Sequence, residues 1–457
     1  MTGTHTIAAL ATPPGMGAIA VVRLSGPEAV SIADSVFRSV RDKKLQDQPS
    51  HTVHLGHIYD GEVMVDEVLV SVFHGPHSYT GENVVEISCH GSTYIQQRLL
   101  QILMDKGAKI AEAGEFTLRA FLNGKMDLTQ AEAVADLIAS EGAAAHRMAI
   151  QQMRGGISDQ LTELRTQLVE FASLIELELD FSEEDIAFAD RDALEKLLNN
   201  IQHTLKSLID SFALGNAMKN GVPVAIAGKP NAGKSSLLNA LLQEDKAIVS
   251  DIPGTTRDSI EDTLYLEGIQ FRFTDTAGLR ETQDKIEAIG VERAKDKIAQ
   301  SQLLLYVVDP TQTRADEVQG ALTSLETNNV QVLVLINKVD LLSENDKQAY
   351  SASLAEQTHL FISAQSQQGL SELKLQLTDM VQGESFDTII TNNRHHATLK
   401  EALQATLAVR KGLSEGLSSD LLAIDLRATL DHLGTVTGTV STDELLGNIF
   451  ANFCIGK

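Results

Sequence analysis

The chain has 457 residues, and its 62 acidic against 37 basic residues give a formal net charge of −25 at pH 7. A protein this acidic does not coat nucleic acid by bulk charge, because phosphate contacts need cations, so an RNA substrate would have to be held by a local basic patch or by a partner. The sequence argues against a membrane span, because no apolar run approaches the 18 or so residues that a span needs. It also argues against a secretory signal. With only two cysteines, the chain is not expected to form a disulfide framework or a zinc cluster. We therefore expect a protein of several domains in the reducing cytoplasm.

The first 120 residues have the pattern of strands with one helix. Strands are predicted at residues 18–24, 68–73 and 84–88, which are short runs rich in β-branched residues. A helix is predicted at residues 92–106, where a serine precedes a periodic apolar segment. The pattern predicts an α+β domain over residues 1–120, and by itself it indicates no chemistry.

Helical periodicity flanks the middle of the chain on both sides. Apolar residues recur at spacings of three and four: Leu161, Leu164, Leu168, Phe171 and Ile175, then Leu399, Leu403 and Leu407, then Leu422, Leu426, Leu430 and Leu433. The acidic residues 176–185 are interpreted as a solvated face or turn. The simplest organisation is one all-α domain, formed by residues 121–218 and 384–457, with an α/β domain, residues 219–383, inserted into one of its loops.

A phosphate-binding motif opens the middle domain. Residues 228–235, Gly-Lys-Pro-Asn-Ala-Gly-Lys-Ser, match G-x-x-x-x-G-K-[ST] between a predicted strand, 222–227, and a predicted helix, 236–242. Glycines in such a loop let successive backbone N–H groups turn toward phosphate oxygens at a helix N-terminus. We expect Lys234 to reach the β and γ phosphates and Ser235 to hold Mg²⁺.

Three further motifs, each after a predicted strand, identify the nucleotide. Asp275-Thr276-Ala277-Gly278 is expected to reach Mg²⁺ through water and to sense the γ-phosphate. In Asn337-Lys338-Val339-Asp340 the Asp accepts two hydrogen bonds from the guanine N1–H and amine, which adenine does not offer, while the Lys stem covers the base. Ser363-Ala364 fits the loop that approaches the guanine carbonyl. Together the four motifs predict a GTPase.

The usual hydrolytic residue is missing. Where Ras-like GTPases have a Gln that orients the attacking water, this chain has Leu279. Asn231 and backbone carbonyls of the loop 247–258 would suit a monovalent cation, which would supply the positive charge of an arginine finger. Thr256 in that loop is the predicted second Mg²⁺ ligand. The water-positioning carboxylate is left open among three candidates: Glu281, Asp284 and Glu287.

Segments along the whole chain resemble one family, the MnmE (TrmE) tRNA modification GTPases. Besides the GTPase motifs, they are Ala11-Thr12-Pro13-Pro14-Gly15, Tyr79-Thr80-Gly81-Glu82, Gly114-Glu115-Phe116-Thr117, Phe121-Leu122-Asn123-Gly124-Lys125, Leu128-Thr129-Gln130-Ala131-Glu132-Ala133 and Phe453-Cys454-Ile455-Gly456-Lys457. Because several lie outside the GTPase domain, the resemblance is specific. It implies an N-terminal α+β domain that binds folate and dimerises, and a helical domain carrying an inserted, potassium-activated GTPase of the Ras-like P-loop type.

The resemblance also implies roles for individual residues. The folate contacts are Arg23, Glu86, Lys125 and Lys457. The potassium contacts are Asn231, Ser250, Ile252 and Thr255, the magnesium ligands are Ser235 and Thr256, and the catalytic residues are Glu287, which positions water, with Lys234 and Asn231. The GTP-binding set is Asn231, Ala232, Gly233, Lys234, Ser235, Ser236, Ser250, Asp251, Ile252, Pro253, Gly254, Thr255, Thr256, Asp275, Thr276, Ala277, Gly278, Asn337, Lys338, Asp340, Ser363 and Ala364.

The function implied by the resemblance is GTP hydrolysis within a tRNA wobble-uridine modification complex. The complex would add a 5-carboxymethylaminomethyl- or aminomethyl-type group at carbon five of uridine, using a 5-formyl-tetrahydrofolate-type one-carbon donor. The implied partners are a second copy of the chain in a homodimer, the flavin-dependent GidA/MnmG protein in a heterotetramer or larger complex, and tRNA, with no membrane. One departure is Met16, where the family usually has Arg, so that one polar contact near the N-terminal loop is expected to be absent.

The sequence leaves one alternative function, a ribosome-assembly GTPase of the Era or Der type. Such proteins share a Thr-Thr switch and often an Asn in the phosphate loop. We would expect them to carry a basic RNA-binding appendage after the GTPase domain, whereas the tail here is helical and the chain is strongly acidic.

Overall fold

The computed structural model describes residues 5–180, 190–243, 262–275, 297–325, 330–381, 389–451 and 453–456. The chain forms two compact units. The first unit comprises Met1–Ala139, Ile150–Leu205 and Ala397–Lys457, and the second comprises Ser140–Ala149 and Lys206–His396. The four-part domain division of the sequence analysis follows sequence texture rather than compactness, and its boundaries remain a prediction.

The first unit contains a seven-stranded sheet. Its strands are β1 (Ile7–Leu10), β2 (Ile19–Ser25), β3 (Phe37–Ser39), β4 (Thr52–Asp60), β5 (Val63–Phe73), β6 (Val84–His90) and β7 (Lys109–Ile110). The order is β3-β4-β5-β6-β2-β1-β7, and each neighbouring pair is antiparallel except β1 with β7. Side chains alternate between the two faces along each strand, so Val22 and Leu24 are buried in the core while Arg23 between them points to the opposite face.

Helices fill the regions of predicted helical periodicity and also occur elsewhere in both units. In chain order they are α1 (Ala29–Val36), α2 (Thr93–Asp105), α3 (Glu115–Leu122), α4 (Leu128–Ala139), α5 (Ala143–Met153), α6 (Gly156–Asp180), α7 (Arg191–Asn220), α8 (Lys234–Gln243), α9 (Ala315–Ser324), α10 (Glu344–Ser353), α11 (Leu370–Val381), α12 (Asn393–Ser414), α13 (Ser419–Thr437) and α14 (Asp443–Phe450). Within the described ranges, no helix combines the length and the apolar character needed to cross a membrane.

The second unit contains a six-stranded sheet. Its strands are β8 (Val222–Ala227), β9 (Asp262–Leu266), β10 (Ile269–Asp275), β11 (Leu303–Val308), β12 (Gln331–Ile336) and β13 (His359–Phe361), in the order β13-β12-β11-β8-β10-β9. Neighbours are parallel except β9 with β10. The six residues of β11 are all buried, as expected for a central strand covered on both faces. Because β8, β10, β11, β12 and β13 run the same way, the loops that follow them leave from one edge of the sheet.

The multidomain α+β, all-α and α/β fold class is confirmed, one local interpretation is wrong, and another is confirmed only in part. The predicted single helix of the first 120 residues misses α1, an eight-residue helix that is held by burying Ala29, Ile32 and Val36 rather than by its own length. The acidic stretch was expected to be a solvated face or turn; residues 176–180 continue α6 rather than form a turn, and Glu176 is exposed on that helix. Glu178 within it is buried and bonded to Arg191 and to the hydroxyl of Ser419, 2.8 Å away.

Candidate functional site

The phosphate loop lies between β8 and α8, as its motif predicts. Gly228 has a φ of +148°, and a Cβ there would lie 2.2 Å from the carbonyl oxygen of Val307 on the neighbouring strand. Gly233 has a φ of +95°, and its Cβ would lie 2.2 Å from Nδ2 of Asn337. Both positions therefore need glycine for the backbone conformation and also for the close approach of the adjacent strand ends.

The lysine of the motif points into its own loop. Lys234 Nζ donates hydrogen bonds to the carbonyl oxygens of Gly228 and Lys229, at 2.9 and 3.0 Å. Asn231 has a left-handed φ of 61° and is exposed, as are Ser235 and Ser236 in the first turn of α8, whereas Ala232 is buried. Lys234 and Ser235, predicted to meet phosphate and Mg²⁺, thus lie at the N-terminus of α8, where backbone N–H groups are free of intrahelical partners.

Asn337 joins the phosphate loop to the loop after β13. Its Nδ2 donates to the carbonyl oxygen of Ala232 at 2.9 Å, and its Oδ1 accepts from the backbone N–H of Ala364 at 3.0 Å. The side chain is buried, so both ends of the amide are paired inside the protein. Asn337 was predicted as a nucleotide contact; in the structure its side chain connects the phosphate loop to the loop after β13.

Lys338 is held by a carboxylate that the sequence analysis did not single out. Its backbone is left-handed, with a φ of 57°, and its Nζ lies 2.5 Å from Oδ2 of Asp309, the first residue after β11. Burial acts to raise the pKa of Asp309, but hydrogen bonds from Lys338 and Thr311 outweigh it and hold that pKa below its ordinary value. An Asp after an apolar run was the only signal in the sequence, and that signal is common.

The other residues predicted to recognise the base lie at the same edge of the sheet. Asp340 is exposed in the short 3₁₀ turn Val339–Leu341, two residues after Lys338. Ser363 is buried, its N–H donates to the carbonyl oxygen of Gln368 at 2.9 Å, and its hydroxyl oxygen accepts from the N–H of Ser366 at 3.2 Å. These contacts shape the loop that also carries Ala364.

The structure describes part of the predicted set. Asp275 ends β10, where its backbone pairs in register with Ile226 of β8, the strand that leads into the phosphate loop. The remaining predicted site residues lie outside the described residues: Ser250, Asp251, Ile252, Pro253, Gly254, Thr255, Thr256, Thr276, Ala277, Gly278, Glu287 and Lys457. Their roles remain predictions.

In the first unit, Arg23 and Glu86 are direct neighbours across two antiparallel strands. They are register partners on β2 and β6, and Nε and Nη2 of Arg23 both lie 2.8 Å from Oε1 of Glu86. The guanidinium also lies over the rings of Tyr79 and Phe116, 5.3 and 5.7 Å from their centroids. Lys125, on the loop between α3 and α4, donates from Nζ to the carbonyl oxygen of Pro76 at 3.0 Å. The two predicted folate contacts Arg23 and Glu86 therefore form one ion pair on the sheet face opposite the core.

A second polar cluster contains residues from two of the segments that resemble the family, 79–82 and 114–117. Arg119, almost fully buried, pairs with Glu115 at 2.7 Å and with Glu82 at 3.1 Å. Ser25 donates to Glu82 at 2.7 Å and hydrogen-bonds the hydroxyl of Thr80, also at 2.7 Å. Sequence reasoning missed this cluster, because it joins three chain segments, represented by Ser25, Glu82 and Arg119, that lie more than 30 positions apart and meet only in the fold.

The C-terminal segment lies beside these residues of the first unit. Ile455 pairs with Ala113, the N–H of Gly114 donates to the carbonyl oxygen of Cys454 at 3.4 Å, and Arg23 Nη1 lies 3.4 Å from the carbonyl oxygen of Gly456. Cys454 is an exposed thiol. The other cysteine, Cys89, is buried in β6, and its burial, followed by the nearby charge of Asp66, raises its pKa to about 11.

Comparison with known proteins places this geometry in context. The family model described as the GTP-binding protein TrmE N-terminus matches residues 6–125, and the one described as the MnmE helical domain matches residues 128–454. The tRNA modification GTPase MnmE of Flavobacterium johnsoniae is 55% identical over 466 residues, which cover 100% of each chain. The protein of the same name from Bacteroides thetaiotaomicron is 50% identical over 462 residues, 99% of each.

Among solved structures, a variant of Era from Aquifex aeolicus bound to GDP.AlF4- is 28% identical and covers 40% of this chain and 66% of that one. Its TM-score is 0.28, too low to support an argument.

Proposed function

We infer the function of this chain from one premise: it belongs to the family of tRNA modification GTPases named MnmE. It is accordingly a GTPase that acts in tRNA modification. The observation that carries the assignment of the GTP site is the convergence of the phosphate loop, Asn337, Lys338 and Ser363 at one edge of the parallel sheet, with the Asn337 amide bonded to two of the loops.

We propose that guanine nucleotide binds at this edge. The N-terminus of α8 and Lys234 would hold the phosphates, Asp340 would accept from guanine N1–H and its amine, and Ala364 would approach the guanine carbonyl. Ser235, exposed in the first turn of α8, fits a hydroxyl ligand of Mg²⁺, and Thr256 would be the second. When bound, Mg²⁺ neutralises charge on the phosphate oxygens.

Lys234 would then exchange its two carbonyl acceptors in the loop for phosphate oxygens. Such acceptors already hold its ammonium within the loop, so the charge is in place before nucleotide arrives.

We propose that potassium replaces the missing Gln and arginine finger. Asn231 offers an exposed amide in the phosphate loop, and Ser250, Ile252 and Thr255 would complete the site, with Glu287 positioning the water. Hydrolysis should be at least tenfold faster in KCl than in NaCl at equal ionic strength, about 1.4 kcal/mol of barrier. Equal rates in the two salts would refute the cation proposal.

The water-positioning role has its own test. Glu287→Ala should keep GTP binding and slow turnover by about a hundredfold, as for loss of a general base. Unchanged turnover would assign the role to another carboxylate. Glu267→Ala, a change at a β-turn between β9 and β10, serves as the control that should leave turnover unaltered.

We propose that the first unit binds a 5-formyl-tetrahydrofolate-type one-carbon donor through Arg23, Glu86, Lys125 and Lys457. The Arg23 guanidinium, which lies over two aromatic rings and is paired with Glu86, presents a fixed cation that suits a folate carboxylate or ring. Calorimetry on the full-length protein should detect binding of 5-formyl-tetrahydrofolate, and Arg23→Ala should weaken it at least tenfold.

The matched control is Arg38→Ala. Arg38 also stacks on a ring of the same sheet, 4.0 Å from the centroid of Tyr59, and has no proposed folate contact. Equal loss of binding in both variants, or no binding by the folded wild-type protein, would remove the folate proposal while leaving the GTPase assignment in place.

We propose the remaining parts of the function from the family resemblance. The chain would act in the cytoplasm as a homodimer with a flavin-dependent GidA/MnmG partner, and the reaction would add an aminomethyl-type group at carbon five of the wobble uridine of tRNA. The names of the relatives, which match along their full length, favour this over ribosome assembly. Loss of the modified uridine in cells lacking the chain, with normal ribosome subunits, is the expected result.

A further inference from the structure

The segment 309–317 connects β11 to the first turn of α9 and touches both loops of the proposed nucleotide site. At its start, the carboxylate of Asp309 accepts hydrogen bonds from the N–H and the hydroxyl of Thr311, at 2.9 and 2.7 Å. The same carboxylate accepts from Lys338 Nζ at 2.5 Å. Asp309 is 2% exposed, so three donors fix a buried charge in one orientation.

The two ends of this segment differ in their surroundings. Glu317 at its far end pairs with Lys229 of the phosphate loop at 2.9 Å, but both side chains are 48% exposed. Exposed pairs of this kind contribute little, because water and salt screen them. The Asp309–Lys338 pair is shielded on the carboxylate side, so removing one partner leaves a buried group without its counter-charge. Of the two ion pairs, the stronger is therefore Asp309–Lys338, which connects the segment to the loop proposed to recognise the base.

The middle of the segment is also anchored. Tyr350 of α10, itself buried, donates its hydroxyl to the carbonyl oxygen of Thr313. Burial, followed by the negative charge of Asp309, raises the pKa of Tyr350, so its hydroxyl remains a donor at neutral pH. A neighbouring helix thus holds the segment that begins with Asp309, four residues further along the chain.

We propose that Asp309 is a positioning residue for guanine-nucleotide binding: it touches no nucleotide itself and acts by holding the Lys338 side chain where its stem covers the purine. The inference rests on the proposed GTP site. Lys338 has a left-handed backbone and a long side chain with many rotamers, and fixing it before binding removes an entropy cost that the nucleotide would otherwise meet.

Asp309→Asn tests the proposal with the full-length protein and a fluorescent GDP analogue. The amide carries no negative charge and offers the ammonium only a weaker neutral acceptor, so the dissociation constant for GDP should rise about tenfold, equivalent to about 1.4 kcal/mol of binding free energy. In steady-state GTP hydrolysis, the KM for GTP should rise, whereas kcat should stay within twofold of the wild-type value because the chemical step is not altered. Glu317→Gln, which removes the exposed carboxylate of the same segment, is the matched control and should change neither constant by more than twofold.

A double-mutant cycle separates positioning from a general structural effect. In a Lys338→Met background Asp309→Asn should change the GDP dissociation constant by less than twofold, because the group through which it acts is gone. A tenfold change in both backgrounds would overturn the proposal, and so would an unchanged constant in the folded Asp309→Asn variant. If wild-type protein fails to bind GDP, the proposed GTP site is wrong, which is a different result.

Thr311→Val provides a second route if Asp309→Asn does not fold. It keeps the carboxylate and removes the hydroxyl that orients it, and it should raise the GDP dissociation constant about threefold, equivalent to about 0.7 kcal/mol. That rise should vanish in the Lys338→Met background. A rise that persists there, or no rise at all, would overturn the proposal.

Discussion

The two sheets of this protein bring their proposed site residues together in different ways. In the parallel sheet of the second unit, each loop leaves a strand at the same edge, so short contiguous motifs at successive strand ends meet in space. In the antiparallel sheet of the first unit, the proposed contacts Arg23 and Glu86 stand in the middle of β2 and β6 and meet through strand pairing. A parallel edge thus concentrates function in motifs, whereas an antiparallel face distributes it over distant residues.

The largest expected effect concerns the buried polar cluster that supports the antiparallel face. Arg119→Met would leave the carboxylates of Glu82 and Glu115 without their cation in a buried site. We expect the first unit to lose about 4 kcal/mol of stability, as for breaking a buried ion pair. Native-state hydrogen exchange of the amides in β2 and β6 measures this loss.

Arg427→Met is the control for that change. Arg427 pairs with Glu176 on the helical surface, and both side chains are about half exposed, so its removal should cost less than about 1 kcal/mol. If the two variants lost equal stability, the burial of the Arg119 ion pairs would not be the cause of their larger expected contribution.

The next effect concerns the parallel edge. Gly233→Ala would place a methyl group 2.2 Å from the Asn337 amide in a left-handed backbone, which pushes apart the two loops that this amide joins. Strain of this kind costs about 2–3 kcal/mol, so GTP affinity should fall about a hundredfold. Gly320→Ala on α9 is the matched control, because nothing lies within 4 Å of its added methyl, and it should leave affinity unchanged.

The smallest effect is a pH dependence. Because its folded pKa lies below the ordinary value, Asp309 adds stability above the unfolded carboxyl pKa of about 3.9 and loses it as the pH falls through the folded pKa. Asp309→Asn should therefore destabilise the second unit by about 1 kcal/mol at pH 7, and the difference should shrink below pH 4. Asp316→Asn, at an exposed carboxylate, is the control and should change stability at pH 7 by less than about 0.5 kcal/mol. Urea unfolding at several pH values tests both.

The difference between the sheets also explains what the sequence could predict. The phosphate loop, the strands around it and the order of the base motifs were predicted because each is contiguous and each strand is a short apolar run. Asp309 was missed because a single Asp after a strand is common and its partner Lys338 lies 29 positions away. Arg119 was missed because no local pattern marks an arginine that the fold will bury.

The first unit was recognised by resemblance rather than by chemistry. Its segments Tyr79-Thr80-Gly81-Glu82 and Gly114-Glu115-Phe116-Thr117 carry no motif with a mechanism of its own. Their side chains meet in the fold, through the Tyr79–Thr117 hydroxyl contact and the Arg119 cluster. Glu178 is a similar case in the helices. An acidic run predicts exposed side chains, but Glu178 is buried because Arg191, 13 positions away, pairs with it.

The most direct test is competition for a fluorescent GDP analogue by GDP, XDP and ADP, on wild-type protein and on Asp340→Asn. We expect wild type to bind GDP far more tightly than ADP, because only guanine offers two donors to the exposed Asp340 carboxylate. In Asp340→Asn the amide N–H can donate to the second carbonyl of xanthine, so preference should shift from GDP toward XDP. Equal competition by ADP in wild type, or an unchanged GDP preference in the variant, would contradict a guanine site at this edge of the sheet.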